Sequence, residues 1–295
     1  MDWILLALLA SAMAGAATIA NKYVFVRVSS HAMVQTIAGG LVGILLSGLI
    51  SVVYGFGTLS GTNILIAICS GIFFGLSLML ILYAIRLGNV SRVGPLRFLT
   101  PIFVTLLAAI FLNETLQLQT YAGIFLILLG AIFMENAKLS TLRLDKFLTY
   151  MLASCLMLAT SQVLSKYLLR FSDPVTILVY VRVGLLIFIL PLLAVYWKTL
   201  VQAIKPSPLR NTLLLTIGGI FGTTAMLLVI YAAAKGPISA VSTLASLAPF
   251  FILLYVIPMS KRFPDIYLDK TNTKHLVRKA LLTLVMFAGV TLIIL

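Results

Sequence analysis

Negative charge is nearly missing from this sequence. Only seven of its 295 residues are acidic: Asp2, Glu114, Glu135, Asp145, Asp173, Asp265 and Asp269. None stands in the middle of an apolar run. Proton-coupled efflux of cations through a membrane uses a buried carboxylate for which proton and cation compete. The lack of a clear one weighs against that class. Charge of both signs makes up 9% of the chain, against about a quarter in soluble globular domains, so a soluble domain is excluded. Cysteine and histidine occur twice each. Cys69 and Cys155 lie in apolar runs without a CxxC pattern or a neighbouring histidine, which leaves no disulfide framework and no metal site. His31 and His275 fall in loops. There is no HExxH, GxSxG or Walker A pattern. The sequence therefore offers nothing from which to build an enzyme, and no metal or cofactor is expected.

What is present in abundance is apolar. Hydrophobic residues are 62% of the chain and the mean hydropathy is +1.16. The runs are continuous rather than alternating, so they read as membrane helices and not as barrel strands. Ten segments follow in order: Trp3–Asn21, Met33–Tyr54, Asn63–Ile85, Val93–Leu112, Leu118–Glu135, Phe147–Leu168, Pro174–Tyr196, Asn211–Ala233, Ile238–Ile257 and Ala280–Leu295. The tenth is short and is expected to begin inside the preceding loop, near His275. Trp3–Ala20 reads as a first membrane helix rather than a cleaved signal, because Asp2 precedes it and no Lys or Arg does. Trp197–Arg210, with Pro206 and Pro208, reads as a non-helical surface loop.

The net charge is +14. In a soluble protein that would suggest nucleic acid. Here the charges lie between apolar runs, so they anchor loops at lipid headgroups, and nucleic-acid binding is not expected. Sixteen of the 21 Lys and Arg lie in the odd-numbered loops; only Lys166, Arg170 and Lys235 lie in even ones. The positive-inside rule then makes the odd loops cytoplasmic and places both termini outside. The expected location is the plasma (inner) membrane.

The chain repeats itself. At an offset of 148 positions, Gly71-Ile72-Phe73 meets Gly219-Ile220-Phe221, Tyr83-Ala84 meets Tyr231-Ala232, Gly88 meets Gly236, and Pro101 meets Pro249. At an offset of 144, Lys22-Tyr23 meets Lys166-Tyr167. Residues 1–136 and 147–295 thus read as two copies of one five-helix unit, joined by a linker over 137–146. An odd number of spans per unit inverts the second copy, a common build of secondary transporters.

Further residues carry a resemblance. Leu112-Asn113-Glu114-Thr115 is followed by Gly123-Ile124-Phe125 and Gly130-Ala131; Tyr83-Ala84 leads to Pro101, echoed at Tyr231-Ala232 and Pro249; and Arg182 comes early in helix 7. On these the chain resembles the drug/metabolite transporter superfamily, in its EamA-type ten-helix branch. The resemblance implies an all-α polytopic membrane protein. Helices 1–4 and 6–9 would wall a central cavity and helices 5 and 10 would be peripheral. It implies export, and more often puts both termini inside, against the charge count. The chain departs from the pattern at Lys261-Arg262, where the repeat would put a hinge acid, and at Ala38, opposite Arg182.

Arg97 and Arg182 are the leading site candidates, because an ionisable group in lipid faces a cavity or a partner. Either they recognise an anion or close a gate, or they snorkel to headgroups. Tyr83 and Tyr231 either face each other across a cavity or belong to interfacial belts; Tyr180 is a further candidate. Gln35, Gln162, Thr100, Ser242 and Ser246, with Ser77 and Thr224, either bind substrate or hold helices together. Pro101 and Pro249 act either as paired hinges or as static kinks. Glu114 reads as a hinge residue rather than a proton carrier. The expected function is alternating-access transport of a small organic metabolite, an amino acid or other carboxylate, in the direction of export. The alternatives are multidrug or amphiphile efflux and exchange of phosphorylated or nucleotide-linked sugars. The expected partners are a small-molecule substrate and the lipid bilayer, with the chain a monomer or homodimer.

Overall fold

The computed structural model describes residues 2–28, 31–87, 96–97, 99–134, 146–262 and 273–294. Every regular element among them is a helix. These are α1 (Asp2–Arg27), α2 (Ala32–Tyr54), α3 (Gly61–Leu87), α4 (Thr100–Leu112), α5 (Leu118–Met134), α6 (Lys146–Leu168), α7 (Pro174–Ile204), α8 (Pro208–Lys235), α9 (Ile238–Ala245), α10 (Ala248–Arg262) and α11 (Thr273–Ile294). The pair α9 and α10 forms the ninth crossing, so the chain is a ten-crossing, all-α membrane protein. Seven stretches among the described residues are long and apolar enough to span a membrane, and α4 and α5 add shorter apolar helices. The section of helix 4 at 93–95, the linker over 137–145 and most of the loop before α11 lie outside the described residues.

One boundary differs from expectation. The loop expected at Trp197–Arg210 is mostly helix, and α7 runs on to Ile204. Tyr196, Leu200, Ala203 and Ile204 join an apolar cluster with Val34 and Ile37 of α2, and that burial favours helix over loop. Asn211 then donates Nδ2–H to the Ala203 carbonyl at 2.9 Å and ties the corner. Asp173-Pro174 starts α7 as its composition suggests: the carboxylate accepts from the amides of Val175 and Thr176, and proline fills a position that needs no N–H.

The packing has an internal exchange symmetry. Helix α1 lies along α8 as α6 lies along α3; α2 meets α8 as α7 meets α3; α1 meets α10 as α6 meets α4. The pairs α2–α7 and α5–α11 map onto themselves. Exchanging each helix for its mate in the other half leaves the contacts in place. At the α3–α7 crossing, a Cβ on Gly71 would fall 2.0 Å from the Val181 carbonyl oxygen, and one on Gly184 would fall 2.2 Å from that of Ile68. Only glycine permits that approach. Serines line the α3–α6 seam: Ser70 bonds Ser161 and Ser165, and Ser77 bonds Ser154 at 3.0 Å. Ser77 therefore holds helices together. Helices α5 and α11 pack chiefly on each other, at the periphery.

Both helix 4 and helix 9 are broken, in the same way. The amide of Leu99 bonds the Leu96 carbonyl and that of Ile102 bonds Leu99; 148 positions on, Leu247 bonds Leu244 and Phe250 bonds Leu247. These tight three-residue turns replace the helical ladder. Pro101 and Pro249 accordingly do not kink continuous helices. Each is the second residue of the segment that follows the break, where a missing N–H leaves no helical bond unmade. Helix α4 has 13 residues and so spans about 20 Å, less than the hydrocarbon layer of about 30 Å.

Candidate functional site

Arg182 is 5% exposed. It stands eight residues into α7, and its side chain reaches the middle of the bundle. Nη2 donates to Thr223 Oγ1 of α8 at 3.0 Å. The guanidinium carbon lies 5.9 Å from the ring centre of Phe74 on α3. A Cβ on Gly43 would sit 2.8 Å from both Nη1 and Thr223 Oγ1. Gly43 is eleven residues from either end of α2 (Ala32–Tyr54), so the guanidinium lies at mid-helix depth, near the membrane midplane.

The charge is poorly compensated. Nε is buried without a hydrogen-bond partner, and no carboxylate pairs with this arginine among the described residues. A buried cation without a counter-charge is costly. Such a group either forces its surroundings to supply water or waits for an anion. Four helices, two from each half, converge here. This is the position where transporters built from inverted repeats place their substrates.

The other candidates are not gathered round it. The Arg97 side chain is not covered by other protein groups and lies near Cys155 of α6. Thr100 is buried as the first residue of α4, at the break. Ser242 is buried and Ser246 half-buried at the second break; the Ser246 hydroxyl donates to the Thr243 carbonyl at 2.6 Å. Gln162 is half-buried with an unpartnered Oε1. Gln35 lies in the first turn of α2, about 12 Å along the axis from Gly43. Tyr180 is two positions from Arg182 and so points to a different side of α7; its ring meets Phe56 edge-on at 6.4 Å.

Tyr83 and Tyr231 do not face each other. Tyr83 stacks on Tyr150 at the start of α6, with centroids 5.9 Å apart. Tyr231 lies near Asp173, beyond the end of α6. Most of the length of α6 separates them, about 30 Å at 1.5 Å per residue. Inversion of the repeat is the reason: it carries equivalent residues to opposite membrane faces.

Sequence reading missed Thr223, Phe74 and Gly43 as neighbours of Arg182. The available signals were the Gly39–Gly43 spacing and the choice of Thr224, next to Thr223. It also missed a charged cluster on the even-loop face. Glu114 accepts from the amides of Ile238 and Ser239 at 3.2 Å and caps α9. Lys166 donates to the carbonyls of Ala233 and Gly236, the latter at 2.9 Å, and closes the end of α8. With Arg170 they line a cavity of about 380 Å³. Glu114 sits in the hinge after α4, whose last turn ends on Asn113 with a left-handed φ of 52°.

A sequence profile of the EamA-like transporter family matches residues 1–135 and 146–267. The chain belongs to the EamA-like transporter family. As a member of that family it is a membrane transporter, not an enzyme. An uncharacterized protein of Methanocaldococcus jannaschii, MJ1333.1, is 33% identical over 133 residues, which are 45% of this chain and 95% of that protein. That relative is thus about half as long as this chain. A crystal structure of a protein superposes with a TM-score of 0.73, covering 99% of this chain and 97% of that one at 14% identity, which shows likeness of fold alone.

Proposed function

We propose that this EamA-family protein moves a small organic carboxylate, such as an amino acid, across the membrane by alternating access, in the direction of export. The observation that carries the reading is Arg182: a buried midplane guanidinium with an unpartnered Nε and, among the described residues, no acid beside it. A substrate carboxylate supplies the missing counter-charge and acceptors. One guanidinium suits one carboxylate better than a phosphate ester with two charges, which disfavours phosphorylated sugars. The matched breaks in helices 4 and 9 supply the flexible points that alternating access needs. The charge distribution favours cytoplasmic odd loops, outward termini and the plasma membrane.

The test is flux in proteoliposomes with labelled pools of amino and carboxylic acids. Wild-type protein transports at least one acid. Arg182→Ala and Arg97→Ala each abolish that flux while remaining in the membrane. Wild-type flux in both variants refutes the reading.

A further inference from the structure

We propose that Thr223 is a direct ligand of the transported carboxylate, donating its hydroxyl proton to one oxygen while Arg182 donates Nε–H to the other. This rests on the reading of Arg182 given above. It starts from how threonines behave elsewhere in the chain. Thr18, Thr105, Thr160, Thr216, Thr243 and Thr291 each donate the hydroxyl proton to the carbonyl one turn back, at 2.8 to 3.0 Å. In an apolar medium that bond satisfies a donor that would otherwise be costly.

Thr223 departs from the pattern. It is 1% exposed, yet its hydroxyl makes no bond to Gly219, one turn back. Its Oγ1 instead accepts from Arg182 Nη2 at 3.0 Å. Arginine only donates, so that bond leaves the threonine proton unused, and no acceptor for it exists among the described residues. Arg182 Nε–H is unused as well. Two buried donors on two helices therefore stand side by side without acceptors. Their natural ligand is an acceptor with two adjacent oxygens and one negative charge, a carboxylate. Gly43 completes the geometry, since any Cβ there would press on both Nη1 and Thr223 Oγ1 at 2.8 Å.

The experiment uses the purified full chain in detergent and sodium propionate as probe, titrated against sodium chloride at equal ionic strength. Thermal stabilisation gives the affinity, since a ligand of the folded state raises its apparent stability. Propionate stabilises the wild type. Thr223→Ser, which keeps the hydroxyl, binds within about twofold of it. Thr223→Val, which keeps the shape, binds roughly tenfold more weakly or worse, the usual consequence of losing a hydrogen bond to a charged group; Thr223→Ala serves if the valine variant does not fold. Wild-type affinity in Thr223→Val or Thr223→Ala overturns the proposal, as does a Ser variant as weak as the Val variant. Arg182→Met separates the underlying reading. No propionate shift in the wild type, or a shift that survives Arg182→Met, sinks the carboxylate site as a whole rather than the role of Thr223.

Discussion

A guanidinium at the membrane midplane persists only if its neighbours hold it in place and something answers its charge. Thr223 and Phe74 do the first; the transported anion is proposed to do the second. Gly43→Ala tests the fit. The added methyl meets Nη1 and Oγ1 together, so carboxylate flux falls at least tenfold; flux equal to wild type would show that the pocket tolerates the methyl. Asp173 offers a different residue-scale test, outside the spans. Its partial burial pushes the carboxyl pKa up, but hydrogen bonds from the Thr176 hydroxyl and the amides of Thr176 and Val175 outweigh this and hold it below the ordinary aspartate value. A depressed pKa stabilises the fold at pH above the ordinary value of about 3.9, and that stability is lost as pH falls through the folded value. Asp173→Ala costs about 1 kcal/mol at neutral pH and flattens the acid limb of a melting-temperature profile. Parallel acid limbs in variant and wild type would contradict the cap. Arg182 was legible in the sequence because a charge inside an apolar run is rare. Thr223 was not, because its meaning lies in a hydroxyl bonded to a neighbouring helix rather than to its own.

At the scale of elements, helix ends and crossings carry the account. The α3–α7 crossing brings backbones together at Gly71 and Gly184, so Gly184→Ala drives a methyl into the Ile68 carbonyl. Overpacking of that kind costs typically 1–3 kcal/mol, read as a lower melting temperature in detergent; an unchanged one would mean that the helices part freely. Glu114 ties the hinge after α4 to the first two amides of α9. Glu114→Ala leaves those amides without partners, at a cost of about 1–3 kcal/mol, again visible in thermal melting. A Glu114→Ala variant as stable as wild type would argue against the cap. The number and order of helices could be read from hydropathy, and the breaks were marked by Pro101 and Pro249. Which side of each proline breaks, and that α7 outruns its apolar stretch to Ile204, depended on tertiary contacts that one-dimensional hydropathy does not carry. The hinge acid was visible as Glu114; its partner, 124 residues away, was not.

For the whole molecule, exchange of the two halves preserves the main helix contacts, and the hydrogen bonds of Leu99 to Leu96 and Ile102 to Leu99 recur as Leu247 to Leu244 and Phe250 to Leu247. Yet the halves differ where function is proposed: Arg182 has Ala38 as its mate. One half thus supplies the charge, and both supply the walls. A reporter fused after Leu295 tests the proposed orientation, with alkaline phosphatase activity expected and cytoplasmic fluorescence against it. The central claim, that the midplane guanidinium is the anion site, is tested most directly by an experimental structure of the protein with a stabilising carboxylate bound. The account predicts carboxylate density within hydrogen-bonding distance of Arg182 Nε, between α2, α3, α7 and α8. A carboxylate bound elsewhere, with Arg182 Nε still unpartnered, would contradict it.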